Sequence, residues 1–125
     1  MQETQLPLEH LTKRPQFLAA AKGLSSARGA VLCQMLARDD ESQIIRVGFT
    51  ATKRLGGAVV RNRAKRRLRH AARQVLGELG KPGADYVFVA RQGAAERPWP
   101  RLIEDMQRAL LSLAPKPDTP RTRQP

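Results

Sequence analysis

Cysteine and long apolar runs are scarce in this chain, and each scarcity excludes a class of protein. Cys33 is the only cysteine, so an internal disulfide or a cysteine-rich zinc module cannot form. No apolar run approaches the roughly 18 residues that a transmembrane helix needs. The N-terminal segment also lacks the basic and apolar regions of a signal peptide. We therefore expect a soluble, cytoplasmic protein.

Residues that usually carry catalysis or bind metals are few and scattered. His10, His70 and Cys33 are far apart in the sequence, and no metal-ligand spacing connects them. Glu104 and Asp105 are adjacent, but they belong to an amphipathic segment that is remote from the basic residues of the chain. We therefore expect neither a catalytic side chain nor a metal site on the protein itself.

Acidic residues are scarce where basic residues are dense. The chain has 23 Lys and Arg against 11 Asp and Glu, which gives a formal net charge of +12. No acid occurs between Glu41 and Glu78, and residues 53–73, KRLGGAVVRNRAKRRLRHAAR, contain nine cations. A surplus of this size predicts a polyanionic partner such as RNA, DNA or an anionic membrane.

Apolar residues recur in this basic segment at intervals of three and four, which predicts an amphipathic helix over residues 58–79. Six cations within residues 61–69 would repel one another without an anion, so the outer face of this helix predicts phosphate binding. Arginine dominates over lysine, which favours forked contacts to phosphate. The predicted inner stripe is Val60, Ala64, Leu68, Ala71 and Val75, and the outer arc is Asn62, Arg63, Lys65, Arg66, Arg67, Arg69 and Arg73.

The segment that leads into the helix extends the same surface. Lys53 and Arg54 precede Gly56 and Gly57, and two glycines allow the backbone to come close to a ligand. The first N–H groups of the helix also attract anions. An unliganded flexible turn explains the glycines equally well, but continuity with the arginines favours one phosphate-binding edge.

A second candidate contact is Phe17, in a short predicted helix beside Lys13 and Arg14. A nucleobase could stack on this ring, with the two cations close to its phosphates. The other aromatic residues are expected to pack in the core or, for Trp99, at the start of the last helix.

The remaining pattern predicts one α+β domain over residues 11–113, between a flexible N-terminus, 1–10, and a disordered proline-rich basic tail, 114–125. Strand-like runs at residues 30–37 and 44–51 flank an acidic turn and are expected to pair as a hairpin. A short third strand is possible within residues 52–57. The predicted order is α-β-β-(β)-α-β-α, an α+β layer with its helices on one face of a mostly antiparallel sheet. The last strand is expected at residues 85–91 and the last helix at 99–113.

Residues 53–69 resemble the signature of the protein subunit of bacterial ribonuclease P. The matching pattern is Lys53-x-x-Gly56-x-Ala58-Val59-x-Arg61-Asn62-Arg63-x-Lys65-Arg66-x-x-Arg69. Phe17, the strand segment 47–50 and the strand segment 85–91 also stand in the order that this family shows. The resemblance covers roughly residues 10–113.

The resemblance implies that the protein assists a catalytic RNA in removing the 5′ leader of precursor tRNA by phosphodiester hydrolysis. The RNA and its Mg²⁺ ions carry the chemistry, so no protein side chain is catalytic and no metal is bound by the protein alone. The implied partners are the catalytic RNA and precursor tRNA, with no membrane and no dedicated protein partner. The fold in this family is an α-β sandwich with a left-handed crossover through the basic helix.

The same resemblance assigns roles to individual residues. Phe17, Lys13 and Arg14 belong to a leader-binding cleft between the first helix and the sheet, and Lys53, Arg61 and Asn62 are expected near the scissile phosphate. The full set of expected RNA contacts is Lys53, Arg54, Arg61, Asn62, Arg63, Lys65, Arg66, Arg69 and Arg73.

Three positions depart from the pattern of the family. Ala21 and Cys33 stand where, or close to where, aromatic residues are common, so leader stacking is expected to depend on Phe17 alone. His70 replaces a residue that is often acidic, which makes this helix more cationic than the signature requires.

Three other functions fit parts of the sequence. A structural RNA binder such as a ribosomal protein would have the same composition. A double-stranded DNA binder could place the basic helix in a major groove, but no helix-turn-helix partner or dimer seam is visible. A membrane-surface helix is least favoured, because the apolar stripe lacks Trp and Phe and has little Leu.

Overall fold

A computed structural model describes residues 8–115, in which six strands and three α-helices form one α+β domain. Residues 1–7 and 116–125, which make up most of the two predicted flexible termini, lie outside the described residues. Residues 8–10 and 114–115 are short edge strands. The elements are β1 (Leu8–His10), α1 (Arg14–Ala21), β2 (Leu24–Arg28), β3 (Val31–Ala37), β4 (Ile45–Ala51), a 3₁₀ turn (Lys53–Leu55), α2 (Ala58–Leu79), β5 (Ala84–Ala90), α3 (Trp99–Leu111) and β6 (Ala114–Pro115).

The six strands form a single sheet in the order β1-β4-β5-β3-β2-β6, and β5 is central because it is apolar on both faces. It runs parallel to β4 and antiparallel to β3. The predicted hairpin between β3 and β4 is therefore wrong, since β5 lies between them. Three of the five strand pairs in the sheet are antiparallel, so the predicted mostly antiparallel α+β class is confirmed.

The acidic turn between β3 and β4 passes across the end of β5. The buried carboxylate of Asp85, in β5, binds an arginine on each side of this turn. Arg38, just after β3, donates to its Oδ1 at 2.8 Å, and Arg46 of β4 donates to both oxygens at 2.8 and 3.1 Å. Arg38 also donates to the carbonyl oxygen of Ile44 at 2.7 Å. These bonds fix the ends of three strands around one carboxylate, whose burial is favourable only when it is paired in this way.

Helices lie on both faces of the sheet, so the prediction of a single helical face is wrong. Alternate residues of β5 point to opposite faces. Tyr86 and Phe88 join the main core beneath α2 and α3, whereas Val87 packs with Leu11 and Ala20 beneath α1. The short α1 covers part of its face, and this leaves room for a groove beside it.

The helix α2 connects β4 to β5, which are adjacent and parallel. The hand of this crossover stays a prediction. Two boundaries differ from the sequence-based expectation: residues 53–55 form a 3₁₀ turn instead of a strand, and α3 ends at Leu111. Strand β2 was not expected, because LSSAR lacks the β-branched residues of a typical strand.

The two ends of the sheet differ in charge. The end at which β3 finishes and β4 begins carries the turn with Asp39, Asp40 and Glu41. Arg38 donates to Asp40 at 2.9 Å, and this hydrogen bond holds the pKa of the Asp40 carboxyl below its ordinary value. The opposite end carries the β4–α2 connection with Lys53 and Arg54. The basic connection and the acidic turn are therefore separated by the full length of the sheet.

Candidate nucleic-acid interface

The apolar stripe of α2 is buried as the periodicity predicted. Ala64, Leu68, Ala71 and Val75 are fully buried and Val60 is half-buried; Ala72 and Leu76 extend the stripe. The helix is therefore anchored along its whole length. The outer face presents Asn62, Arg63, Arg66, Arg69 and Arg73 as exposed side chains, with Lys65 half-buried between them.

Arg67 does not belong to this outer face. Its guanidinium donates to the carbonyl oxygens of Ala94, at 2.7 Å, and of Arg97. It also lies 5.8 Å from the centroid of the Trp99 ring. The expectation that Arg67 is one of the exposed cations of the outer arc is therefore wrong, because its guanidinium is hydrogen-bonded to the loop of residues 91–98.

Arg61 is half-buried at the first turn of α2. Its Nε is buried and, within residues 8–115, has no hydrogen-bond partner. A buried N–H of a charged group without an acceptor costs free energy. Lys53 and Arg54 are exposed on the preceding 3₁₀ turn. Gly56 (φ +133°) has a backbone that a side chain would strain.

Arg69 and Arg73 reach toward the edge strand β1. The Arg69 guanidinium lies 5.6 Å from the centroid of the Phe49 ring, within the range of a cation–π contact. A cavity of about 170 Å³ lies below these two arginines, with His10 and Val47 in its wall. The contact with Phe49 orients Arg69 and leaves its charge without a carboxylate partner among the described residues.

A larger groove of about 450 Å³ lies at the basic end of the sheet, on the same face as α1. Its floor is Leu32 and Val89, which are paired across β3 and β5. Its walls include Gly29, Thr52, Arg54, Arg91 and Gln92. Sequence reasoning did not assign Arg91 or Gln92. Their position depends on the pairing of Ala51 with Ala90 in the parallel strands β4 and β5, which places Arg91 beside Thr52. The sequence alone does not show this pairing.

Phe17 lies on α1 and packs over Gly48 of β4, where a Cβ would collide with the ring. Its ring is half-buried, while Lys13 and Arg14 are exposed at the start of the helix. The Gln16 side chain accepts the backbone N–H groups of Thr12 and Lys13, both at 3.1 Å, and so fixes this helix start. The structure therefore places an aromatic ring and two cations on the face that carries the groove.

Cys33 lies in the core and does not line the cleft. Its side chain faces the core beneath α2 and α3, where burial raises the pKa of the thiol to about 12. Cys33 is therefore not a cleft residue. The neighbours that point to the α1 face are Leu32 and Gln34, and neither is aromatic. Ala21, the other departure, is half-buried at the end of α1.

Within residues 8–115 no group of three or more His, Cys, Asp or Glu side chains could hold a metal ion. No helix in this part of the chain is long and apolar enough to cross a bilayer. The two adjacent acids on α3 have structural partners. Glu104 forms an ion pair with Arg108, and the buried Asp105 accepts the backbone N–H of Ala30 at 3.0 Å.

Comparison with known proteins agrees with the sequence signature. A family model described as Ribonuclease P matches residues 7–114. The ribonuclease P protein component of Caulobacter vibrioides is 58% identical over 109 residues, which cover 87% of this chain and 73% of that protein. The corresponding protein of Ruegeria pomeroyi is 51% identical over 110 residues, covering 86% and 88%.

Solved structures with the same fold come from two more bacteria. The RNase P protein of Staphylococcus aureus superposes with a TM-score of 0.68 at 23% identity, over 82% of this chain and 92% of that one. The RNase P protein of Thermotoga maritima gives a TM-score of 0.66 at 23% identity, over 80% and 93%. At these identities the structures support the fold alone.

Proposed function

Because the chain belongs to the ribonuclease P protein family, we propose that it binds the catalytic RNA and the single-stranded 5′ leader of precursor tRNA at the same time. As a member of this family, it is a subunit of an endoribonuclease. Removal of the leader is then assisted in two ways. The protein reduces repulsion between two RNA molecules, and it adds contacts to the substrate outside the tRNA body.

One observation carries this proposal: within residues 8–115 no acidic side chain forms an ion pair with a cation of α2. Five ion pairs occur among residues 8–115, and none of them includes a lysine or arginine of α2. A solvent-exposed face normally mixes charges of both signs. A face of one sign on a helix that is firmly anchored in the core is a surface for a polyanion.

The outer face of α2 is assigned to the catalytic RNA. Its side chains are mainly arginines, which can grip a phosphate with two parallel hydrogen bonds. The backbone beneath the face is rigid, because Ala64, Leu68, Ala71 and Val75 of the inner stripe are fully buried. The contacts assigned to RNA here are Arg63, Lys65, Arg66, Arg69 and Arg73.

The start of α2 is assigned to the cleavage region. Lys53, Arg61 and Asn62 lie in the 3₁₀ turn and the first turns of the helix. Mg²⁺ in the holoenzyme is assigned to the RNA, and cleavage itself is assigned to the RNA and its metal ions in the cytoplasm.

The groove beside α1 is assigned to the leader. Single-stranded RNA is bound through stacking on aromatic rings and through cations along its backbone. Phe17 offers the ring, Lys13 and Arg14 stand at one side, and Arg54 and Arg91 stand in the groove at the basic end of the sheet. This arrangement directs the leader from α1 toward the start of α2.

Reconstitution at low Mg²⁺ tests the proposal. The protein is added to a bacterial ribonuclease P RNA and a labelled precursor tRNA, with protein alone as one control and RNA alone as another. We expect 5′ processing that depends on both components and yields mature tRNA. Unchanged cleavage by the RNA when the protein is added would overturn the proposal, and so would cleavage by the protein without RNA.

A further inference from the structure

The loop of residues 91–98 is hydrogen-bonded to the side chain of Arg67, which does not line the groove. Arg67 of α2 donates one hydrogen bond to Ala94 O, at 2.7 Å, and another to Arg97 O. The same guanidinium lies 5.8 Å from the centroid of the Trp99 ring at the start of α3. A single planar group thus connects the helix, the loop and the next helix.

Arg97 extends this connection to α3 and to the β2–β3 turn. Its guanidinium pairs with the buried carboxylate of Asp105. Oδ2 of Asp105 accepts the N–H of Ala30 at 3.0 Å, and the carbonyl of Ala30 accepts the N–H of Arg91 at 2.9 Å. The bonds form a closed circuit that leaves the loop at residue 97 and returns to it at residue 91.

The turn is fitted closely to Asp105. Gly29 has a φ of +53°, and a Cβ at this position would collide with the Asp105 carboxylate. Gly29 and Arg91 both line the groove, whereas Arg67, Arg97 and Asp105 do not. The wall of the groove is therefore positioned by charged groups that lie behind it, on the side of α2 and α3.

We propose that Arg67 is a positioning residue for the leader groove. It fixes the loop that carries Arg91 and Gln92, and it makes no contact with RNA. This inference rests on the proposed function of the groove. It gives two consecutive arginines different tasks, since Arg66 is exposed on the outer face of α2 and Arg67 secures the wall of the groove.

The test uses the reconstituted holoenzyme with Arg67→Lys, which keeps the charge and removes the planar fork that reaches two carbonyl oxygens. Two precursors are compared, one with a leader of several nucleotides and one with a single-nucleotide leader. We expect KM for the long leader to rise about tenfold, as a small displacement of a positioned contact can cause. KM for the short leader and kcat should stay at wild-type values. The matched substitution Arg66→Lys should leave the ratio of the two KM values unchanged.

The salt dependence of binding to the catalytic RNA separates positioning from phosphate contact. Arg67→Lys and Arg67→Gln should both retain the wild-type slope of log affinity against log salt, because a residue that touches no phosphate releases no counterion. A slope that falls by about one in Arg67→Gln would make Arg67 an RNA contact and overturn the inference.

Asp105→Asn provides a second variant in the same circuit, with the N–H of Ala30 still accepted and the charge opposite Arg97 removed. We expect a smaller rise in KM for the long leader than in Arg67→Lys, with KM for the short leader unchanged and a cooperative thermal transition that shows a folded protein. If the wild type binds both precursors equally, the leader function of the groove fails. If the wild type discriminates between them and both variants do so equally well, only the positioning role of Arg67 fails.

Discussion

The Phe17 ring lies against the backbone of Gly48, and a Cβ at Gly48 would stand 2.5 Å from Cε1 and Cζ of that ring. Glycine within a strand usually weakens it, and it marks a place where another group approaches closely. Here the approaching group is the one aromatic side chain assigned to the leader. The strand and the ring are thus in close contact. A substitution at Gly48 or at Phe17 should therefore alter the effect of a substitution at the other residue.

Gly48→Ala should displace the Phe17 ring and destabilise the protein by about 1–3 kcal/mol, because an added methyl group has no room. Urea unfolding measures this loss. In a Phe17→Ala background the same substitution should cost less than half as much, since the clash with the ring is gone. Equal costs in both backgrounds would show that the two residues are not coupled.

Phe17→Ala should weaken binding of precursor tRNA by about 1–3 kcal/mol, the range of one base stacked on an aromatic ring. Binding of mature tRNA should not change, because it has no leader. Equilibrium binding of both RNAs to the holoenzyme provides the measurement. Leu18→Ala is the matched control on the exposed side of the same helix and should affect neither RNA; equal losses for both RNAs in Phe17→Ala would contradict leader stacking.

Lys65→Ala should reduce the slope of log affinity against log salt for the catalytic RNA by about one. The reason is that one lost phosphate contact releases one fewer counterion. Arg108→Ala removes a cation of the same charge on α3, where it is paired with Glu104, and should leave the slope unchanged. A wild-type slope in Lys65→Ala would remove this residue from the set of RNA contacts.

Leu68→Ala should destabilise the protein by about 2–5 kcal/mol, and Leu68→Asp should unfold it, because this side chain is fully buried beneath α2. The control is Val59→Asp, at the second residue of the same helix, where the side chain is 75% exposed. An acid near a helix N-terminus is not destabilising, so this variant should melt like the wild type. It should nevertheless bind RNA more weakly, because it adds a negative charge one turn before Arg63.

Cys33 should be unreactive in the folded protein. Burial raises the pKa of its thiol to about 12, so the reactive thiolate is almost absent at pH 8. Iodoacetamide should therefore modify Cys33 only after denaturant unfolds the chain, and mass spectrometry of the labelled protein gives the result. Rapid labelling under native conditions would mean that β3 does not face the core as described.

The parts of the structure that sequence alone could predict are those with a local cause. The helix α2 repeats its apolar residues often enough for both its length and its buried face to follow from periodicity. The ion pairs of Asp85, by contrast, join β5 to arginines that are 39 and 47 residues away in sequence. No local pattern contains that information.

The candidate site shows the same limit. Arg66 and Arg67 are indistinguishable by type, but Arg67 lies one turn from both Ala64 and Ala71 and therefore stands at the border of the buried stripe. Its acceptors are carbonyl oxygens 27 and 30 residues further along the chain, on a loop without a strong pattern. The exposed cations were predictable from charge, whereas the residue that turns inward was not.

The separation of charge between the two ends of the sheet has a consequence for the encounter with RNA. A molecule with Asp39, Asp40 and Glu41 at one end and Lys53 and Arg54 at the other has a lasting dipole along the strands in addition to its net charge. The field of a nearby polyanion exerts a torque on such a dipole over distances of about a Debye length, roughly 8 Å in physiological salt. The basic end of the protein should therefore face the RNA when the two molecules meet. A larger share of encounters then has the orientation that binding requires.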